Sequence, residues 1–247
     1  MTDVGRHPMI KLLTYSEVKE VAGYVGNFKV KILKRARYVD ENECTACGDC
    51  SDVCPVVRPN EFEMGLSTRK AIYSPFPQAV PPAYVINVQD CLGHMPLACE
   101  RCYEACEKKC INYDMEDEVI EVDVGTIIVT TGMKVFDASK ITEYGYTRYP
   151  NVITSMEFER LINAGGPTGG DLIRLDNMER PKRVAFIQCV GSRSQTRGKP
   201  YCSNICCMNT VKDTILIKEH WPDIEAVSYT HLRAHETRHD LVCRLLL

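Results

Sequence analysis

The run Cys44-Thr45-Ala46-Cys47-Gly48-Asp49-Cys50-Ser51-Asp52-Val53-Cys54-Pro55 places four cysteines at C-x2-C-x2-C-x3-C-P spacing. Three thiolates at this spacing wrap one face of an iron–sulfur cube, and the fourth points away toward a neighbouring cube. Small Thr45, Ala46 and Gly48 let the loop curl closely, and Pro55 stops it from continuing as helix. Structural zinc usually takes two C-x-x-C pairs parted by a longer span. A disulfide framework suits short exported chains, and cysteines three residues apart staple very little chain.

Working outward, the chain holds 14 cysteines, and most fall in groups. The second group is Cys91, Cys99, Cys102, Cys106 and Cys110, and the third is Cys189, Cys202, Cys206 and Cys207; Cys243 stands alone. An internal repeat links the first two groups. Tyr38-Val39-Asp40 precedes Cys44 as Val85-Ile86-Asn87 precedes Cys91, with Asp or Asn four residues before the first cysteine. Ile111-Asn112-Tyr113 follows as a further short strand. Two such strand–loop halves make the pseudo-symmetric ferredoxin unit with two clusters, here over residues 34–115. Crossing the fourth ligands predicts Cys44, Cys47, Cys50 and Cys106 for one [4Fe-4S] cluster, and Cys91, Cys99, Cys102 and Cys54 for the other. The second half is irregular, C-x7-C-x2-C-x3-C with Glu107 in place of proline, so Cys110 as ligand with Cys91 free stays open. The bland reading of Cys110 is a small buried apolar residue.

Composition bounds the rest. The 247 residues are 45% hydrophobic and 26% charged, enough for one medium domain or two small ones. A net charge of −3 offers no basic field for nucleic acid or anionic lipid. No apolar run approaches the roughly 18 residues that span a bilayer. The start, MTDVGRHPMI, has no signal-peptide apolar stretch, so a cytoplasmic protein is expected.

Periodicity supplies the other elements. Thr14-x-x-Glu17 reads as a capping box, with Val18 and Val21 opening a helix face and Gly23 and Gly26 ending it. Phe28, Val30 and Ile32 alternate with Lys29 and Lys31 as a strand. The Pro-rich residues 74–84 read as connection. Residues 119–124 alternate as a strand, and Thr126-Ile127-Ile128-Val129 reads as a buried parallel strand closed by Thr130-Thr131-Gly132. Thr154-x-x-Glu157 caps a second helix. A strand over 183–190, a helix over 205–220 and a strand from Ile224 complete a strand–loop–helix–strand unit. Its turn, Gln188-Cys189-Val190-Gly191-Ser192-Arg193, lacks G-x-G-x-x-G, so a third iron–sulfur cluster on Cys189, Cys202, Cys206 and Cys207 fits better than a pyrophosphate. The bland reading there is a buried free thiol at Cys189 and a redox pair elsewhere.

HPMIKLLTYSEVKEVAGYVGNFKVKILKRARYVDENECTACGDC (7–50), RKAIYSPFPQAVP (69–81), VAFIQCVGSR (184–193) and YCSNICCM (201–208) resemble the A subunits of CoB–CoM heterodisulfide reductases. The resemblance implies an α/β fold, an incomplete thioredoxin-reductase-like dinucleotide-binding domain, with an inserted α+β ferredoxin-like domain carrying two clusters. It divides the chain into residues 1–33 of the flavoprotein domain, 34–115 inserted, 116–226 returning, and 227–247 as a non-native tail. It implies FAD beside [4Fe-4S] clusters, and puts Thr130, Thr131 and Gly132 of VTTGM (129–133) close to FAD. The activity implied is electron transfer in methanogenesis and related anaerobic metabolism, with flavin-based electron bifurcation. The partners implied are other heterodisulfide reductase subunits, a hydrogenase or formate dehydrogenase donor, and ferredoxin. No side chain is expected to act as acid or base.

Two departures stand against the family pattern. The glycine-rich loop that would hold the FAD pyrophosphate is not in the chain, so a piece that binds FAD weakly and is inactive alone is expected. The resemblance also stops near Val227. The tail contains His235-Glu236-Thr237-Arg238-His239, which matches H-E-x-x-H but lacks a third ligand, so a zinc site is not expected. A rival to the whole reading is a ferredoxin-like relay or docking module without functional flavin.

Overall fold

The computed structural model describes residues 2–93 and 98–229. The chain divides into two units, residues 1–131 and 132–247. The H-E-x-x-H run and Cys243 lie outside the described residues.

In the first unit a short helix α1 (Thr2–Arg6) precedes an antiparallel sheet of β1 (Ser16–Tyr24), β2 (Asn27–Lys34) and a later strand. Short helices and two-residue strands follow: α2 (Asp49–Asp52), β3 (Arg58–Pro59), β4 (Thr68–Arg69), β5 (Ile72–Tyr73), β6 (Val85–Ile86) and α3 (Arg101–Ala105). The chain then re-enters the sheet as β7 (Glu118–Val124), giving the order β1-β2-β7. Phe28, Val30 and Ile32 face Val124, Val122 and Ile120 across the β2–β7 ladder, while Lys29 and Lys31 face Asp123 and Glu121. Apolar residues thus meet apolar ones and opposite charges meet each other, which fixes the register. Lys34 pairs with Glu118, so residues 35–117 leave and return at one end of the sheet.

The helix expected from Thr14-x-x-Glu17 is instead strand β1. Its register with β2 brings Glu20 to 2.8 Å from Lys31 Nζ and Glu17 to 2.9 Å from Arg35, pairs a helix would not make. The residues read as helix stops build the hairpin turn. Tyr24 pairs with Asn27, leaving Val25-Gly26 as the connection, with Gly26 at φ +90°. At Gly23, φ is +101° and a Cβ would sit 2.2 Å from the Asn27 carbonyl oxygen.

Between β2 and β7 the core is built from Val39, Ala71, Ile72, Ile86 and Ile111 together with buried cysteines. β5 pairs with β6, and Val39 bridges Ile111. The Pro-rich residues 74–84 form no helix or strand, as expected of a connection. The strand expected at 126–129 is absent: the stretch has no regular structure, and Ile128 and Val129 are 83% and 75% exposed. A buried parallel strand needs neighbours on its edges and faces, and the described residues supply none here.

The second unit has two short 3-10 turns (Ala138–Lys140 and Thr142–Tyr144), then α4 (Ser155–Leu161), β8 (Arg183–Ile187), α5 (Cys206–His220) and β9 (Glu225–Tyr229). The Thr154–Glu157 capping box is fully formed at the start of α4. β8 and β9 pair in parallel, joined through α5. Phe158, Leu172, Ile217 and Ile224 make the core, with the Phe158 and Phe186 rings edge-on at 5.5 Å. β8 ends at Ile187 rather than Val190 because Cys189 (φ +59°) and Gly191 (φ +75°) turn the chain away. No described helix is long and apolar enough to cross a membrane.

Candidate iron–sulfur centres

The two halves of the first unit repeat one local device. The Asp40 carbonyl accepts from the Cys44 N–H at 3.0 Å, and the Asn87 carbonyl accepts from the Cys91 N–H at 3.0 Å. In each half the same Asx side chain also accepts from the N–H two residues on, Asn42 at 2.9 Å and Gln89 at 3.0 Å. These Asx turns swing the chain out of the short strand and into the cysteine loop. They explain the Asp or Asn four residues before each first cysteine, and they make Cys91 the structural counterpart of Cys44.

A short helix follows in each half. α2 carries Cys50 and α3 carries Cys102, while Cys54 and Cys106 come four residues later, past or at the helix end. Gly48 at φ +104° lets the first loop turn into α2. Cys54 and Cys106 are thereby carried across to the opposite half. One cavity is lined by Cys54, Cys91, Cys99 and Cys102, with Ala71, Ile72 and Ile86 as apolar wall. The other is lined by Cys44, Cys47, Cys50 and Cys106, and also by Cys110. Cys50, Cys54, Cys102, Cys106 and Cys110 are buried, whereas Cys47 is exposed.

The electrostatics differ between sulfurs. Burial, then the neighbouring sulfurs led by Cys44, pushes the Cys50 thiol up to about 12. Burial raises Cys102 as well, offset in part by its contact with the Tyr113 hydroxyl at 3.0 Å. At Cys106 burial is outweighed by backbone N–H groups and by the Cys110 thiol, so Cys106 is held below the usual thiol range. Cys110 is pushed up to about 12 by burial and by Cys106, whose sulfur lies 3.5 Å away. Lys70 Nζ donates to the Cys54 carbonyl at 2.9 Å, placing a cation beside the crossed loop.

Among the described residues no three His, Cys, Asp or Glu side chains converge tightly enough to hold a single metal ion. The thiols instead surround two cavities, each lined by four or more cysteines, and among the described residues no carboxylate lines the cavity of Cys54 and Cys102. An all-thiolate donor set around a mostly apolar cavity fits an iron–sulfur cluster.

The third cysteine group lies where β8 runs into its turn and α5 begins. Cys206 and Cys207 are the first two residues of α5. Burial works against the Cys206 thiolate, yet hydrogen bonds from Cys189, Ser203 and Cys207 outweigh it and hold Cys206 below the usual range. Cys207 is raised by burial and by Cys206, and its thiol donates to Gln188 Oε1 at 3.1 Å. Cys202 accepts from the Asn204 N–H at 3.4 Å and is exposed. Thr130, Thr131 and Gly132 are exposed, without regular structure, and line neither cysteine cavity.

Sequence reasoning left Cys110 open and missed Tyr113. Cys110 joins Cys44, Cys47, Cys50 and Cys106 because it follows Cys106 by four residues, a signal available in the spacing. Tyr113 reaches Cys102, and only the three-dimensional pairing of Val39 with Ile111 reveals that.

The crossed cysteine cavities define a ferredoxin-type iron–sulfur protein, and residues 37–57 match the 4Fe-4S binding domain family. The chain is 53% identical over 229 residues to the A subunit of the H(2):CoB-CoM heterodisulfide,ferredoxin reductase of Methanothermobacter thermautotrophicus, covering 93% of this chain and 34% of that protein. It is 52% identical over 235 residues to the iron-sulfur A subunit of the CoB–CoM heterodisulfide reductase of Methanocaldococcus jannaschii, covering 95% of this chain and 35% of that protein. With the A subunit of the Ferredoxin/F(420)H(2)-dependent CoB-CoM heterodisulfide reductase of Methanosarcina acetivorans it shares 45% identity over 236 residues, 95% of this chain and 29% of the relative. Over this shared stretch the chain belongs to the family of heterodisulfide reductase A subunits. It spans about a third of the length of the curated relatives it matches.

Proposed function

We propose that the chain is an electron-transfer segment of a heterodisulfide reductase A subunit, relaying single electrons between [4Fe-4S] clusters. The observation that carries this reading is the crossing of Cys54 and Cys106 between two cysteine-lined cavities. The ligands on this reading are Cys44, Cys47, Cys50 and Cys106 for one cluster and Cys91, Cys99, Cys102 and Cys54 for the other. The equivalence of Cys91 and Cys44 in the repeated Asx turn supports Cys91 over Cys110 as a ligand. When bound, each cluster supplies one-electron redox chemistry. The chain's part is to hold the thiolates, bury the sites and set the charge around them.

The domain reading places residues 34–115 as an insertion, and the pairing of Lys34 with Glu118 supports it. Residues 1–33 and 116–226 then belong to a flavoprotein domain of the thioredoxin-reductase type, a reading supported by the parallel β8–α5–β9 unit. Cys189, Cys202, Cys206 and Cys207 hold a third cluster on this reading. FAD, electron bifurcation, the partner subunits, a hydrogenase or formate dehydrogenase donor, ferredoxin and a cytoplasmic location come from the family resemblance alone.

Anaerobic reconstitution of the chain with iron and sulfide tests the proposal. Iron and acid-labile sulfide in equal amounts, with at least two [4Fe-4S] components in the EPR spectrum after reduction, are expected. Colourless protein, or zinc without sulfide, overturns it.

A further inference from the structure

We propose that the Tyr113 hydroxyl donates a hydrogen bond to Cys102 Sγ and thereby makes the cluster on Cys54, Cys91, Cys99 and Cys102 the more readily reduced of the two. The inference rests on the cluster reading above and adds a potential-setting residue that is not itself a ligand.

The oxygen and sulfur lie 3.0 Å apart. A cluster ligand is a thiolate and can only accept, so the phenol must be the donor. Reduction adds negative charge to the cluster and its sulfurs. A donor aimed at a ligand sulfur stabilises the reduced state more than the oxidised one and raises the potential. Burial of Cys102 against an apolar wall keeps that interaction from being screened by water.

Tyr113 is held in place by the fold. The N–H of Asn112 donates to the Tyr38 carbonyl at 3.0 Å, and the Asn112 side chain accepts from the Asp114 N–H at 2.9 Å. The Tyr113 ring packs against the cysteine core. The donor is therefore positioned before any electron arrives.

The cavity of Cys44 and Cys106 also has a phenol on its lining, Tyr84, but among the described residues that hydroxyl makes no hydrogen bond to a cysteine sulfur. There the ligand Cys106 has the Cys110 sulfur at 3.5 Å, and a thiol is a weak donor. Asp49 and Glu107 line that cavity along with Lys108. The Cys102 cavity has Arg101 on its lining and the Lys70 ammonium on the Cys54 carbonyl. Hydrogen bonding and charge point the same way, toward electrons settling on the Cys102 side.

The test is an EPR-monitored redox titration of the reconstituted full chain, as wild type, as Tyr113→Phe, and with 3-fluorotyrosine introduced at position 113. In Tyr113→Phe the reduced-to-oxidised ratio of one cluster, read at its wild-type midpoint, is expected to fall about tenfold, which is 59 mV for one electron. The other components stay where they were. Fluorotyrosine, a more acidic donor with the same contacts, is expected to shift the same component the opposite way. Unmoved potentials in both variants, or a common shift of all components, overturn the inference. If Tyr113→Phe does not assemble, the fluorotyrosine titration decides by the presence or absence of its shift. Failure of the wild type to take up iron and sulfide would sink the parent reading first, and this inference with it.

Discussion

The sulfur atoms of Cys106 and Cys110, both buried, lie 3.5 Å apart on the lining of one cavity, which holds five thiols where a cluster takes four. Cys106 is the more acidic of the pair, held low by backbone N–H groups as well as by the Cys110 thiol. Cys110 is pushed up to about 12 and stands beside it as a protonated neighbour. On the proposed assignment, which rests on the matching places of Cys54 after α2 and Cys106 after α3, Cys106 is the ligand and Cys110 the reserve.

Substitution separates the two roles. Cys110→Ala is expected to leave the iron content unchanged. Cys106→Ala is expected to keep a cluster with an altered EPR signal, because Cys110 can take the empty corner. The double variant should lose one cluster's worth of iron and sulfide. Loss of iron in Cys110→Ala alone would reverse the assignment.

Gly93 makes a second, steric prediction. A Cβ at this position would sit 2.6 Å from the backbone nitrogen and oxygen of Cys99. Real Cβ atoms do not approach backbone that closely, so Gly93→Ala must push the Cys99 loop outward. One cluster, that of Cys54, Cys91, Cys99 and Cys102, should be lost while the other persists. Iron analysis with EPR of the remaining signal reads the outcome.

How far the sequence disclosed these features depends on the range of the physics involved. The cysteine spacing is local chemistry, and Cys44 to Cys54 could be read without a fold. The Thr154–Glu157 capping box is equally local, and it formed as written. Thr14-x-x-Glu17 carried the same local signal but lost to the long-range pairing of β1 with β2, where Glu17 and Glu20 meet Arg35 and Lys31. Residues 126–129 have the composition of a buried strand, yet burial depends on neighbours that the residue types do not specify. Tyr113 and Cys102 are eleven residues apart, and their contact follows from the pairing of strands rather than from any motif.

Asp213 predicts a pH dependence in the second unit. It is fully buried, and burial followed by the nearby Glu159 carboxylate raises it from the usual 3.8 to about 6, against the opposing pull of the Lys212 ammonium. Asn209 donates to its Oδ2 at 2.9 Å, while Oδ1 has no hydrogen-bond partner among the described residues and lies 3.3 Å from Lys212 Nζ. The folded state therefore holds this proton to higher pH than the unfolded chain does. The contribution is fully present below about pH 4 and is lost as pH rises through about 6. Asp213→Asn should remove this loss and stabilise the chain at pH 7.5 by on the order of 1–3 kcal/mol. Thermal unfolding of both proteins at pH 5 and 7.5 measures it, and an equal pH response in the two would contradict the assignment.

The third cysteine group offers the sharpest arithmetic. Cys206 and Cys207 open a helix of 15 residues, where exposed backbone N–H groups favour thiolates. Cys206 is already held low by Cys189, Ser203 and Cys207. Cys189 takes a left-handed backbone, φ +59°, a conformation uncommon for a side-chain-bearing residue and found where a site dictates the turn. On the proposed reading this group, placed where β8 ends and α5 begins, holds a third cluster. The wild-type chain should therefore bind three clusters' worth of iron and sulfide. Cys206→Ser should remove one third of it and leave both ferredoxin-type EPR components intact. If the iron content of Cys206→Ser equals that of wild type, the group is a set of redox-active thiols. Alkylation under reducing and oxidising conditions would then show a disulfide between two of them.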